Sequence, residues 1–184
     1  MKTTFLLFAL AAGLAAQSFE VGAGGGIQRL SSRSLGSGYT LDDGWRFGFR
    51  MAFNSWKFMG QETGYGYNRT KLLLGGQDQG GMAIHQGFYN FLLYGTPEGS
   101  RVRPFAAGGV HFSNFVPPGA SATYGQGSTK FGVNYGGGVK VKVNHMWGVR
   151  FDVRQYMQGK PFSLQGVSGQ LRLTEVSAGF YVWM

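Results

Sequence analysis

At 184 residues, with a formal net charge of +9, 33 glycines, 16% aromatic residues and no cysteine, the chain fits one domain and offers neither a disulfide framework nor a cysteine-based metal site. Its basic residues are scattered along the sequence rather than gathered in a helix or tail, which argues against nucleic acid as the partner despite the charge. The glycines follow no collagen-like period, and together with the aromatics they suit the strands of an all-β barrel.

The first stretch reads as a targeting segment. Lys2 supplies the positive charge, Phe5–Leu14 the apolar core and Gly13–Ala16 the small residues of a cleavage site. A run of ten apolar residues is too short to span a bilayer, which takes about twenty. Residues 1–16 are therefore expected to be a cleaved signal peptide, leaving 17–184 as one exported domain.

Strand signals follow at regular intervals. Over Ser18–Arg29, Phe19, Val21, Ala23, Gly25 and Ile27 alternate with Glu20, Gly22, Gly24, Gly26 and Gln28. The glycine run within it lacks the helix that follows a dinucleotide-binding turn. After a Ser/Gly-rich loop over Leu30–Asp43, Gly44–Asn54 sets Trp45, Phe47, Phe49, Met51 and Phe53 against Arg46, Gly48, Arg50, Ala52 and Asn54. A turn at Ser55–Lys57 leads into Phe58–Thr70, where Met59, Thr63, Tyr65 and Tyr67 oppose Gly60, Glu62, Gly64, Gly66 and Asn68. Lys71–Gly80 reads as a second long loop. Gly81–Tyr94 is extended, with His85, Gly87, Tyr89, Phe91 and Leu93 facing out.

A short turn at Gly95–Ser100 precedes Arg101–Phe112, where Val102, Ala106, Val110 and Phe112 face out while Arg101, Arg103 and Phe105 face in. Ser113–Thr129 is a third long loop, since Pro117-Pro118-Gly119 fits no central strand. Phe131–Arg154 is a hairpin broken at Asn144–Met146. One face carries Phe131, Val133, Tyr135, Val139, Val141, Trp147, Val149, Phe151 and Val153, and the other Lys140, Lys142, Arg150, Asp152 and Arg154. Gln158–Gln170 makes a fourth long loop. Leu171–Met184 closes the chain with Val176, Ala178, Phe180 and Val182 against Glu175, Ser177, Gly179 and Tyr181.

Eight strands result, and their connections alternate long and short. That order is expected when both ends of an even-stranded barrel lie on the periplasmic side. An apolar face opposite a charged one, on strands rather than helices, suits a closed barrel spanning a membrane with its charges inside. The fold expected is all-β, an eight-stranded antiparallel up-and-down transmembrane β-barrel. A soluble lipocalin-like calyx is the alternative, but it would expose the glycine-rich, charged face and crowd Trp, Phe and Tyr into a small interior. Trp45, Trp56, Trp147, Trp183, Tyr65, Tyr67 and Tyr89 read as interfacial girdles, with Tyr181 inward.

The inward set holds Arg46, Arg50, Arg101, Arg103, Lys140, Lys142, Arg150 and Arg154 against Glu20, Glu62, Asp152 and Glu175. Buried charges must be paired or hydrated. The set is thus either an ion-pair network filling a narrow lumen or the lining of a small water-filled passage that prefers anions. His85 and His145 are isolated, so neither a metal nor a cofactor is expected.

Arg103-Pro104-Phe105-Ala106-Ala107-Gly108-Gly109, Tyr135-Gly136-Gly137-Gly138 and Gly179-Phe180-Tyr181-Val182-Trp183 resemble the small outer-membrane β-barrels similar to the membrane domain of outer-membrane protein A. The resemblance covers residues 18–184. It implies a monomer in the bacterial outer membrane, reached through the periplasm, with membrane lipids, lipopolysaccharide and the barrel-assembly machinery as partners. It also implies a terminal aromatic residue, where this chain ends Trp183-Met184. His111-Phe112-Ser113-Asn114 is similar to a stretch of outer-membrane lipid A deacylases, which would make His111 the base and Ser113 the nucleophile. No Asp or Glu lies between Glu98 and Asp152 to orient the His, so a non-enzymatic structural, adhesive or porin-like role is the primary expectation.

Overall fold

The computed structural model describes residues 18–31, 33–120, 126–163 and 169–184; the expected signal peptide lies outside them. The strands are β1 (Ser18–Leu30), β2 (Ser34–Gly36), β3 (Tyr39–Leu41), β4 (Gly44–Trp56), β5 (Met59–Leu74), β6 (Gln77–Tyr94), β7 (Val102–Val116), β8 (Ser128–Lys142), β9 (Trp147–Gly159) and β10 (Gln170–Trp183). β2 and β3 form a small hairpin within the first loop. The other eight pair antiparallel with their chain neighbours, and β1 pairs with β10 to close an eight-stranded barrel. Closure leaves none of these eight with a free edge along the barrel wall, which a bilayer requires because it offers backbone groups no hydrogen bonds.

Period-two alternation sorts the two faces. Trp45, Phe47, Phe49, Phe91, Phe131, Phe151 and Phe180 are exposed on the outer wall, while Arg46, Glu62, Lys140, Arg154 and Glu175 are buried inside. On β6 the outward residues are His85, Tyr89, Phe91 and Leu93, with Gln86, Asn90 and Tyr94 buried within.

The second connection differs from the long loop expected over Lys71–Gly80. β5 and β6 continue through it and join at a two-residue turn, Gly75–Gly76, with φ of +58° and +86°. Positive φ at both central residues gives the backbone twist that a tight hairpin needs, and glycine adopts it without penalty. The segment escapes a membrane-strand reading because its returning arm is polar and exposed on both faces, at Gln77, Asp78 and Gln79. β3 lies along its base, pairing Leu41 with Leu72, whereas β4 pairs Trp45 with Arg69. Three residues on one side thus oppose two on the other, a β-bulge at Asp42–Asp43.

The interior is layered. The middle is charged. Above it, at the extracellular end, Leu30, Leu35, Leu41, Met82, Ile84, Phe115, Tyr156, Leu171 and Leu173 form an apolar cap into which the first loop inserts Leu35, 2% exposed. Near the periplasmic end, Ala52, Leu92, Tyr94, Phe105 and Ala107 form a second apolar cluster.

At two inward glycines a long neighbour occupies the space that a side chain would take. A side chain at Gly66 would run into the Arg46 guanidinium, and one at Gly64 into the Phe88 ring. Gly66→Val should therefore destabilise the barrel by about 1–3 kcal/mol through overpacking. Gly108→Ala, which meets open space, should be neutral. The urea midpoint of the heat-modifiable folded band measures both.

Candidate functional site

β9 places Arg150, Asp152 and Arg154 at alternate positions, so all three enter the lumen from one strand. β5 stands four strands away around the eight-stranded ring, directly across it. Glu62 of β5 is fully buried and takes both arginines across the lumen: Arg150 Nη1 on Oε2, and Arg154 Nη2 on Oε1 at 2.6 Å. Asp152 is wedged among three guanidiniums, with Arg154 Nε at 2.9 Å, Arg50 Nη1 at 3.1 Å and Arg150 Nε at 3.2 Å. Glu175 lies 2.7 Å from Arg46 Nη1 and 3.8 Å from Arg50 Nη2, but its oxygens are out of line for hydrogen bonding, so these are Coulombic contacts. Arg46 also donates to Gln86 Oε1 at 2.7 Å. A void of about 10 Å³ beside Arg50, Arg150 and Asp152 is the size of a single water site.

Below this layer Lys140 Nζ donates to Glu20 and, at 2.8 Å, to the Tyr94 hydroxyl. Asn54 completes the group, donating to Glu20 at 2.8 Å and accepting from Tyr94 at 2.7 Å. Two interior cations, Arg103 and Lys142, have no acidic partner in an ion pair among the described residues. Arg103 stacks on the Tyr94 ring at 3.4 Å and donates to the Lys57 carbonyl at 3.1 Å, and Lys142 Nζ sits 4.5 Å from the Trp183 ring. With Glu20, Lys140 and Tyr181 they line a cavity of about 120 Å³ at the periplasmic mouth.

Two expectations are corrected. Arg101 precedes β7 and is exposed in the turn, outside the interior set, because the barrel wall ends at Val102. Trp183 is no outer girdle residue. It shares the parity of Tyr181, contacts its ring at 5.5 Å, and lines the inner mouth.

His111 and Ser113 both face inward, but each is engaged elsewhere. His111 Nε2 pairs with Gln158 Oε1 at 2.9 Å, and Ser113 Oγ accepts from Gln86 Nε2 at 3.0 Å. Both are buried beneath the apolar cap, and among the described residues no carboxylate is hydrogen-bonded to the imidazole. His85 faces outward against Tyr65 and Tyr67. Among the described residues no cluster of three or more His, Cys, Asp or Glu could hold a metal. The cap was missed in the sequence. The signal was there, since Met82 and Ile84 continue the inward parity of β6, and Leu171 and Leu173 that of β10.

The model of the outer membrane protein beta-barrel domain matches residues 3–181. The chain belongs to this family. Among solved structures, OprG of Pseudomonas aeruginosa superposes with a TM-score of 0.62 at 14% identity, covering 92% of this chain and 96% of that one. Neisserial surface protein A gives 0.57 at 17% identity, covering 90% and 95%. Ail, the attachment invasion locus protein of Yersinia pestis, solved with the heparin analogue sucrose octasulfate, gives 0.51 at 14% identity, covering 90% and 98%. No curated protein sequence matches. Family membership locates the barrel in the bacterial outer membrane. At such identities the superpositions speak for the fold alone.

Glu62→Gln keeps the shape of the side chain but removes the charge that Arg150 and Arg154 share, leaving Asp152 as their acidic partner among the described residues. Breaking a buried pair in this way costs about 3–5 kcal/mol. Lys71→Gln, which breaks the exposed Lys71–Asp78 pair at 3.1 Å, should cost less than about 1 kcal/mol. Urea unfolding of the two variants in lipid vesicles should show that difference.

Proposed function

We propose that this protein is a sealed, non-catalytic outer-membrane barrel that works through its outer wall and extracellular surface, as a structural or adhesive element rather than a passage. One observation carries the reading: the buried Leu30–Leu35–Leu41–Met82–Ile84–Phe115–Leu171–Leu173 cap lies across the extracellular end, above a layer of paired charges. An ion crossing the lumen would have to break the Glu62 and Asp152 pairs and then enter a region without charged side chains. Each step is costly in a low-dielectric interior. The excess of interior cations supports no anion passage, because Arg103 and Lys142 are confined to the periplasmic mouth.

A lipid A deacylase reading draws little support from a His and a Ser that are buried and bonded to separate glutamines. A soluble calyx would not carry the exposed outer belt of Trp45, Phe47, Phe49, Phe131 and Phe151. The names of two neighbours, a surface protein and an attachment protein, accord with a cell-surface role. The barrel closes through pairing within one chain and needs no second copy for closure, which supports a monomer. Its last strand, ending Phe180-Tyr181-Val182-Trp183, is what it offers the assembly machinery.

Planar-bilayer recording tests the seal. The purified barrel should give no discrete conductance steps, and neither should Lys142→Gln, which alters only the mouth. Reproducible steps from the unaltered protein, abolished by heat unfolding, would overturn the proposal.

A further inference from the structure

The outer wall carries charge in one place on its strands. Arg29 on β1, Arg69 on β5 and Arg172 on β10 have outward parity near the extracellular ends, and all three are exposed. Towards the periplasm the outward positions of those strands are Phe19, Val21, Met59, Gln61, Phe180 and Val182, without a charge. Arg29 and Arg69 flank a groove of about 600 Å³ whose floor includes Trp45 and Ile27. Ile27, Trp45 and Arg69 occupy one register row across β1, β4 and β5, with Arg29 the next outward residue up.

Three carboxylates also border the groove, and each is already engaged. Arg33 holds Asp42 at 3.5 Å and Asp43 at 2.9 Å. Asp78 accepts from the Gly80 amide at 2.7 Å and from Lys71 at 3.1 Å, contacts that hold its carboxyl below the usual range. Arg29 and Arg69 have no ion pair among the described residues. The Arg69 guanidinium lies over Gly81, where an added side chain would meet it. Two free guanidiniums above an aromatic and aliphatic wall match an amphiphile with an anionic head. Guanidinium forks bind phosphate oxygens bidentately, and the pairing strengthens beside a low-dielectric layer.

We propose that the groove between Arg29 and Arg69 binds a phosphate of lipid A, the outer-leaflet glycolipid, with its acyl chains lying down the Ile27–Phe47–Tyr67 wall. This rests on the outer-membrane location of the barrel and is independent of whether its lumen is sealed. Arg172, diagonal to Arg29 across the β1–β10 pair and one row nearer the extracellular end, widens the basic edge for a second phosphate.

The test is native mass spectrometry of the folded barrel released from detergent micelles, after titration with diphosphoryl lipid A or with the same lipid A dephosphorylated. The phosphorylated lipid should be retained and the dephosphorylated one lost. R29Q/R69Q should weaken retention by about tenfold or more, while K57Q/R101Q, which removes two cations from the periplasmic turns, should leave it unchanged. Heat-modifiable mobility verifies that each variant is folded, and the comparison of the two lipids stands on the unaltered protein alone. Equal retention of both lipids would overturn the proposal. So would undiminished binding by R29Q/R69Q, or an equal loss in K57Q/R101Q.

Discussion

Glu62 reaching two arginines on the opposite wall is the contact on which the rest of the interior depends. A barrel of eight strands is narrow enough for side chains from opposite walls to meet, and here they meet as opposite charges. A lone carboxylate there would be untenable, as would two unpaired guanidiniums. Together they tie β5 to β9 across the diameter, while Arg50–Asp152 ties β4 to β9. The inward glycines belong to the same solution. Gly66 and Gly64 give up their own volume so that Arg46 and Phe88 can lie flat against the wall.

Charge needs a boundary, and the layers above and below supply it. The apolar cap shields the pairs from water at the extracellular end, and Leu35 anchors the first loop in that cap. The bulge at Asp42–Asp43 lets the chain pass from β3, against the protruding end of β5, into β4 along the same strand. Those aspartates also accept from Arg33 and from the Leu30 amide, so the loop is bound to the rim by charge as well as by packing. At the periplasmic mouth the arrangement relaxes. Arg103 and Lys142 rely on aromatic faces and a carbonyl rather than on acids, and a small cavity opens there.

The fold was legible because a bilayer inverts the usual burial rule and a strand displays it residue by residue. Trp45, Arg46, Phe47 and Gly48 disclose both faces in four residues. Legibility failed where the bilayer stops constraining the chain. Leu72–Leu74 and Gln77–Gly80 stay in strands, yet the successive residues Gln77, Asp78 and Gln79 are all exposed, so alternation carries no information there. Parity shows which side chains share the lumen, but not which carboxylate takes which guanidinium. That depends on the reach of Arg150 and Arg154 across the ring and on barrel closure, which no single strand encodes. Trp183 shows a simpler limit: residue type suggests a girdle, but the parity that it shares with Tyr181 places it inside.

The chain has no cysteine, so one introduced thiol reports its own surroundings. Ser177→Cys places it on the inner wall at mid-barrel, in register with Asp152, and Gln79→Cys places one at the exposed hairpin tip. Whole cells treated with a membrane-impermeant thiol reagent should label Gln79→Cys promptly. Ser177→Cys should stay unlabelled until the barrel is unfolded. Labelling of Ser177→Cys in intact cells at a rate near that of Gln79→Cys would mean that water and solutes reach the centre from outside, contradicting a paired and capped interior.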